Sequence, residues 1–514
     1  MLINNSDFFL KTGRLFAGEP LRVLDIFSGC GGMSLGFQRA GYSILGGVEL
    51  DPKAALTFSS NFFRGHSEEI IKKHSRPLDI TNFHPSEFMR EILGADTPCN
   101  MVDVIVGGPP CQAFARIGRA KLREILKHPE AYLKDGRANL YTYFLEYVDF
   151  FRPLAVLIEN VPDIMNYGGK DVAYEIAVTL EGTGYKCRYT ILNAADYGVP
   201  QHRMRLFLMA IHSNLNIIPV FPDPSHKADL PIGYKNQAIW MRMAQQFSHS
   251  EHLERFFVPA PAPGSFAKQA VSAQDALEDL PAITWHMNSK KRKGIKSFDR
   301  PVCYKKNDNL SEYILDMRSW PNFEAREEIW NHVIRYTPRD YEIFKRMKPG
   351  DDYPCALNIA ETEIFPEKLS EAERSVGHKI KRGSKEYELI WKSCVPPYDP
   401  KKFPNKWWKL IPDEPSRTLT AHLGKDTYSH IHYDSEQARA ISVREAARLQ
   451  SFPDGFIFTG SMNAAFRQIG NAVPPLMAFS LAKQIRKLLM QALNSQVFIP
   501  PEESTINIAN KNIG

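Results

Sequence analysis

The sequence predicts an α/β fold, in which helices cover both faces of a mostly parallel sheet and a second, smaller domain follows. Two observations carry this prediction. Six short apolar runs alternate with helical patterns before residue 222, which is typical of strands buried on both faces. The chain also has 514 residues, and its composition changes after about Phe221, so two domains are expected.

The predicted strands are apolar runs that stop at turn-forming or polar residues. They are Val23–Phe27, Ile44–Leu50, Val102–Val106, Ala155–Ile158, Tyr189–Leu192 and Leu206–Ile211. Helices are expected between them. Asp51 followed by Pro52 is a typical helix start, and Asn139–Phe151 carries apolar residues at helical spacing.

The second half of the chain changes character and then returns to a regular pattern. Residues 222–410 are rich in proline, lysine and aromatic residues and contain all seven tryptophans. Ser442-Val-Arg-Glu445 then has the form of a capping box, and Pro474-Pro475 opens a further helix. We therefore expect one domain built from 1–221 and 411–500, a separate module at 222–410 (the middle module) and a flexible tail at 501–514.

Composition narrows the class of protein. The chain has no apolar run long enough to cross a bilayer and no signal-peptide pattern, so we expect a cytoplasmic protein without a membrane partner. The seven cysteines show no CxxC spacing, which suggests neither a zinc site nor a disulfide framework. The net charge of +6 only mildly favours an acidic partner.

A glycine-rich turn follows the first strand, in Asp25-Ile-Phe-Ser-Gly-Cys-Gly-Gly32. Gly29, Gly31 and Gly32 allow a tight turn and a close approach to a ligand. Glu49 lies 20 residues after Gly29, the usual interval for an acid that holds ribose hydroxyls. A tight turn without a ligand explains the glycines equally well. The spacing departs from the dinucleotide fingerprint, which disfavours a nicotinamide oxidoreductase.

A cysteine in a stiffened loop follows the third strand. Gly107-Gly-Pro-Pro-Cys111 places the thiol at the carboxyl end of the sheet, where open α/β folds bind ligands. Glu159 ends the next strand and is expected nearby, suited to donating a proton, although a helix cap or a salt bridge would also explain it. Arg203 and Arg205 lie just before the last strand, and the alternation of side chains is expected to place both on the same side of it. One could bind a base carbonyl or phosphate and the other Glu159, or both could be surface arginines.

Taken in order, these segments resemble the DNA cytosine-5 methyltransferase family, especially its bacterial restriction–modification type. The resemblance covers Leu21 to about Ile211 and Glu414 to about Leu489. The segments that carry it are Asp25–Gly32, Gly108–Gln112, Glu159–Val161, Gln201–Arg205, Arg444–Asp454 and Gln468–Pro475. Arg444–Asp454 is similar to the helix that braces the recognition domain of the family.

The resemblance implies a Rossmann-like S-adenosylmethionine-dependent methyltransferase sheet with a smaller target-recognition domain at 222–410. It implies Cys111, Glu159, Arg203 and Arg205 as catalytic residues. Asp79-Ile80 would contact the adenine edge of the cofactor. The full set implied for the cofactor is Phe27, Gly29, Gly31, Gly32, Glu49, Leu50, Asp79, Ile80, Pro109, Leu140 and Asn471.

The mechanism that the resemblance implies is covalent. Cys111 adds to C6 of a flipped-out cytosine, Glu159 contacts or protonates N3, and the arginines hold the base and order Glu159. The basic segment Ala113–Arg137, longer than in compact members, would close over the DNA; a solvated basic helix is the alternative. Lys290–Lys293 is either a phosphate contact or a solvated surface.

The expected substrate is double-stranded DNA read in the major groove by residues 222–410, and we expect a monomer. A cognate restriction endonuclease would be a functional partner. An RNA cytosine-5 methyltransferase shares the same core chemistry, but needs less of a module than 222–410 provides. A catalytically inactive DNA-binding protein is the other alternative, and the intact Cys111, Glu159 and arginines disfavour it.

Overall fold

The computed structural model describes residues 5–94, 99–110, 140–166, 171–231, 234–235, 239–240, 254–287, 300–306 and 309–495. Its centre is a six-stranded sheet in the order β2-β1-β3-β4-β6-β5. The strands are β1 (Arg22–Ile26), β2 (Ser43–Val48), β3 (Val104–Gly107), β4 (Ala155–Asn160), β5 (Tyr185–Asn193) and β6 (Met204–His212). Strands β1 to β4 pair in parallel, and β6 runs antiparallel to both of its neighbours. The predicted α/β fold with a mostly parallel sheet is confirmed.

Sixteen α-helices and two further strand pairs complete the described residues. The helices of the first part are α1 (Asn5–Phe16), α2 (Gly32–Arg39), α3 (Pro52–Phe62), α4 (Glu68–His74), α5 (Pro85–Phe88), α6 (Leu140–Phe151) and α7 (Val172–Gly182). Those that follow are α8 (Ala273–Leu277), α9 (Glu312–Arg318), α10 (Tyr341–Arg346), α11 (Tyr353–Ile359), α12 (Phe365–Val376), α13 (Lys385–Cys394), α14 (Val443–Leu449), α15 (Met462–Asn471) and α16 (Pro475–Ser495). The additional strands are β7 (His226–Lys227), β8 (Lys268–Gln269), β9 (Val302–Cys303) and β10 (Glu328–Ile329). Among these helices, none combines the length and apolar character that a membrane crossing requires.

The central sheet is buried on both faces, which explains its continuous apolar runs. On one face Leu24 and Val156 pack with Phe144 of α6 in a single core cluster. On the other face Val23 packs in a second cluster with Leu481 of α16. Because β1 to β4 run parallel, the loops that follow them all leave the same edge of the sheet.

The described residues of 222–410 are divided among different core clusters. Leu277 and Trp320 share a cluster with Cys30, from the glycine-rich turn, and with Phe452, from the returning segment. A separate cluster joins the residues from Tyr341 to Trp407 with Ile431 and Ala438. The part of 222–410 before residue 340 thus packs against residues outside this range, while residues from Tyr341 to Trp407 form most of the other cluster. The division at 221 and 410 stays a prediction.

The predicted capping box opens α14. The side chain of Ser442 accepts a hydrogen bond from the backbone N–H of Glu445 at 3.1 Å, and the Glu445 carboxylate accepts from the Ser442 N–H at 2.7 Å. Further along the helix, Arg448 is fully buried and pairs with Asp279 at 3.0 Å and with Asp454 at 2.6 Å. Although burial alone would raise it, the pKa of Asp454 is held below its usual value by the Arg448 guanidinium. This pairing connects α14 to Asp279, which lies in the part of 222–410 before residue 340.

Arg448→Leu is expected to lower the free energy of unfolding by about 3–5 kcal/mol, because the substitution leaves two buried carboxylates without their shared cation. Urea denaturation followed by tryptophan fluorescence measures this change. The matched control is Arg346→Leu, which breaks an ion pair of Arg346 with Glu367 at the surface and should have little effect. Equal losses in the two variants would contradict the structural role of Arg448.

Candidate active site

The loops after β1, β3 and β4 meet at one edge of the sheet. The register pairs Ile26 with Gly107 and Gly107 with Ile158, so β1 and β3 end at the same level and β4 continues two residues further. The glycine-rich turn, the start of the Cys111 loop and the end of β4 are therefore neighbours, as the sequence predicts for a ligand site in an open α/β sheet.

The Cys111 loop is described up to Pro110. The carbonyl of Pro109, which is buried, accepts a hydrogen bond from the side-chain amide of Asn160 at 3.2 Å. The side-chain oxygen of Asn160 in turn accepts from the Val161 N–H at 2.9 Å. These bonds hold the loop against the end of β4. Cys111 itself, the basic segment 113–137 and Lys290–Lys293 lie outside the described residues.

Glu159 lies between an arginine and the start of that loop. Its Oε1 atom is 2.9 Å from Nε of Arg205, and the two side chains are only 12% and 15% exposed. A Cβ atom on Gly108 would lie 3.1 Å from Oε2 of Glu159, so the carboxylate lies close to the backbone of this loop. One oxygen is thus paired with a cation while the other faces the loop that leads to Cys111.

The two arginines of the Gln201–Arg205 segment have different partners. Arg205 alone pairs with Glu159. Arg203 is buried, and its guanidinium donates to the carbonyls of Leu419 at 2.8 Å and Gly470 at 3.2 Å. The expectation that one arginine binds the base or a phosphate while the other holds Glu159 stays a prediction, and the position of Arg205 fits the second of these roles.

Arg203 lies one residue before β6, and the carbonyls that it contacts belong to distant parts of the chain. The backbone of Gly470 lies close to that of Thr420. A Cβ on Gly470 would lie 2.3 Å from the backbone oxygen of Thr420, so glycine is needed there. Arg203 therefore joins the start of β6 to the segment that follows residue 410 and to α15.

The glycine-rich turn has the left-handed backbone that its residues permit. The φ angles are 55° at Gly29 and 97° at Gly31, and Phe27 also has a positive φ of 61°. A Cβ on Gly31 would lie 2.2 Å from the Phe62 ring. At Gly32, a Cβ would lie 2.3 Å from the carbonyl oxygen of Val473, so the segment Gln468–Pro475 lies directly against this turn.

Glu49 connects the turn to the end of β2. Its Oε2 atom accepts from the Gly29 N–H at 2.8 Å, and its Oε1 atom accepts from the Asp51 N–H at 2.7 Å. Burial raises the pKa of Glu49, and these two N–H groups oppose that rise. Leu50 beside it is 61% exposed, which leaves an apolar surface between two carboxylates. Arg467 of α15 pairs with Asp51 at 2.6 Å.

The segment with Asp79 and Ile80 runs beside this edge, since the Leu78 N–H donates to the carbonyl of Glu49 at 2.7 Å. The Asp79 carboxylate accepts from the N–H and the hydroxyl of Thr81. Ile80 is buried, with 6% of its surface exposed. Two further residues predicted at the cofactor lie at helix ends: Leu140, partly buried, begins α6, and Asn471, exposed, ends α15.

Sequence reasoning assigned no role to Asp25, although it lies in the glycine-rich motif. Asp25 is buried and accepts a hydrogen bond from the Ser34 hydroxyl at 2.6 Å. Burial raises the pKa of this carboxyl to about 7, against the hydrogen bond from Ser34. A carboxylate inside an otherwise apolar strand was the available signal, since aspartate is seldom fully buried. Its bond to Ser34 fixes the start of α2 against β1.

Comparison with known proteins gives a family match over most of the chain. The model of the C-5 cytosine-specific DNA methylases matches residues 21–487. A "Putative type II methyltransferase M.OihORF3336P" of Oceanobacillus iheyensis is 39% identical over 467 residues, covering 90% of this chain and 95% of that protein. Type II methyltransferase M.AgeI of Thalassovita gelatinovora is 29% identical and covers 91% of this chain and 99% of its own length.

A solved structure shows the same fold. It is described as a "putative DNA modification methyltransferase" encoded within an Escherichia coli prophage. The two chains superpose with a TM-score of 0.56 at 24% sequence identity, over 91% of this chain and 99% of the other. The likeness supports the Rossmann-like assignment of the sheet.

Proposed function

The chain belongs to the C-5 cytosine-specific DNA methylase family, and on that premise we propose which residues and which cofactor perform its reaction. It is a DNA (cytosine-5)-methyltransferase, related to methyltransferases of type II restriction–modification systems. The observation that carries the assignment of the site is the position of Glu159, held by Arg205 and facing Gly108 in the Cys111 loop.

We propose that the Cys111 thiolate adds to C6 of a cytosine flipped out of the duplex. The new S–C6 bond pushes electron density onto C5, which is otherwise a poor nucleophile. Bound S-adenosylmethionine supplies the electrophilic methyl group that C5 accepts. The C5 proton then leaves to water, the electrons of the C5–H bond form the C5–C6 double bond, and the S–C6 bond breaks to regenerate the thiolate.

The Glu159 carboxyl group contacts N3 of the flipped base in this proposal. A hydrogen bond or a proton at N3 draws electron density from the ring as the thiolate adds, which stabilises the transition state. Arg205 fixes the orientation of Glu159 and has further N–H groups that can bind the base carbonyl. Arg203 acts as a positioning residue, because its guanidinium is bound to carbonyls of the protein.

The residues at the edge of β1 and β2 fit S-adenosylmethionine. The left-handed glycines bring the backbone close, the half-buried Glu49 carboxylate suits ribose hydroxyls, and exposed Leu50 offers an apolar surface for adenine. Asp79-Ile80 runs beside Leu50 and would contact the adenine edge. We propose that Phe27, Gly29, Gly31, Gly32, Pro109, Leu140 and Asn471 complete this pocket.

Glu49→Gln is expected to weaken the binding of S-adenosylhomocysteine, the demethylated cofactor product, by about 1.5–3 kcal/mol, the usual value of a hydrogen bond to a charged group. Isothermal titration calorimetry measures the dissociation constant. Glu69→Gln, a substitution of an exposed glutamate in α4, is the matched control. The assignment of Glu49 to the cofactor is wrong if both variants bind as tightly as the native protein.

We further propose that residues 222–410 read one short sequence of double-stranded DNA in the major groove, with the protein acting as a monomer. The type II relatives support a role in protecting DNA from a cognate restriction endonuclease, as a functional partner.

A further inference from the structure

Two completely buried glutamines meet beneath the proposed active site. The side chains of Gln201 and Gln450 both have no exposed surface. The Nε2 atom of Gln201 donates to Oε1 of Gln450 at 2.5 Å. We call these two residues the glutamine pair. Because neither side chain reaches the surface, neither can touch DNA or cofactor directly.

The hydrogen bonds of the glutamine pair run in one direction across four segments of the chain. The N–H of Leu419 donates to Oε1 of Gln201 at 2.8 Å, and Nε2 of Gln201 also donates to the carbonyl of Leu449 at 3.1 Å. Nε2 of Gln450 then donates to the carbonyl of Ala472 at 2.6 Å. Each amide thus has both its oxygen and its nitrogen engaged.

This chain of hydrogen bonds runs from the segment that carries Arg205 to the segment that lies against the glycine-rich turn. Gln201 lies two residues before Arg203 and four before Arg205, the partner of Glu159. Ala472 precedes Val473, whose carbonyl oxygen lies against Gly32 in the glycine-rich turn. The first donor, Leu419, belongs to the segment that leaves the middle module.

We propose that the glutamine pair is a positioning device: it holds the start of β6, and with it Arg205, in fixed register with the segment that closes on the cofactor turn. This rests on the proposed roles of Arg205 and of that turn. Because an amide must donate on one side and accept on the other, reversing one glutamine would set two oxygens against each other at the next contact. A change at Gln201 should therefore be felt at Ala472 through Gln450.

The test is a double-mutant cycle with Gln201→Met, Gln450→Met and the double variant. Methionine keeps the length of the side chain and removes the amide. Three quantities are measured: the dissociation constant of S-adenosylhomocysteine, the single-turnover rate of methyl transfer at saturating cofactor, and the melting temperature. Gln437→Met is the control, since Gln437 is also buried but bonds to Ile283, Asp434 and Arg439, outside the glutamine pair.

Each single variant should weaken S-adenosylhomocysteine binding and slow methyl transfer by about tenfold, equivalent to about 1.4 kcal/mol. The double variant should lose little more than either single variant, because the residues act as one unit. The control should lower the melting temperature without these shifts. If Gln201→Met fails to fold, Gln450→Met decides, since it removes both the acceptor for Gln201 and the donor to Ala472.

Unchanged cofactor binding in the Gln201 variant, or additive losses in the double variant, would overturn the proposal. The dissociation constant of S-adenosylhomocysteine can be measured even if the protein does not transfer methyl groups. An absence of methyl transfer by the native protein would therefore refute the proposed function while leaving the binding cycle to decide on the glutamine pair.

Discussion

Cys111→Ser should abolish methylation while the protein still binds duplex DNA. A serine hydroxyl has nearly the size of the thiol, but it is not ionised near neutral pH and adds poorly to C6. Removing a catalytic nucleophile lowers turnover by roughly 10⁴-fold or more in enzymes of covalent mechanism. Binding should persist, because the proposed recognition module lies elsewhere, in residues 222–410.

Transfer of tritiated methyl groups to duplex DNA measures the activity, and a gel-shift assay measures binding. The matched control is Cys303→Ser, which changes an exposed cysteine in β9 of the middle module and should leave the rate unaltered. Substantial methylation by the Cys111→Ser variant would show that another group attacks the base.

Glu159→Gln should reduce the rate of methyl transfer by about 10²–10⁴-fold, the range for loss of a general acid or base. The amide keeps the size of the carboxyl group, but it cannot pair as an anion with Arg205 or give a proton to N3. The binding of S-adenosylhomocysteine should change little, since Glu159 is outside the proposed cofactor residues. The loss should therefore appear in the single-turnover rate.

A surface carboxylate gives the comparison for this prediction. Glu181→Gln removes a partner of Arg255 at the end of α7, away from the edge where β3 and β4 end, and should leave the rate near the native value. If Glu159→Gln methylates DNA as fast as Glu181→Gln, the carboxylate facing Gly108 has no part in the chemistry.

The central sheet was predictable because its strands are buried on both faces. Each predicted apolar run corresponds to an observed strand, and the boundaries differ by a few residues, as where β2 ends at Val48 rather than Leu50. The capping box at Ser442 was equally predictable, since it depends on residues three positions apart. Local patterns of this kind need no knowledge of the tertiary structure.

The partners of Arg203 could not be read in the same way. Its guanidinium binds carbonyls of residues 216 and 267 positions away, and no local pattern specifies such contacts. The glutamine pair also depends on contact between distant segments. For residues 222–410 the difficulty is similar, because Trp320 and Leu277 share their cluster with Cys30 and Phe452, which lie outside this range. Periodicity within the module therefore carries little information about its core.

A methyl-transfer assay tests the central claim most directly. Tritiated methyl groups from S-adenosylmethionine are offered in parallel to unmethylated duplex DNA, single-stranded DNA and tRNA, and the duplex is then sequenced after bisulfite treatment. The account predicts label in the duplex, with protected cytosines in one short sequence only, since bisulfite spares cytosine methylated at C5. Label confined to tRNA, or no transfer to any substrate by folded protein that binds S-adenosylhomocysteine, would contradict it.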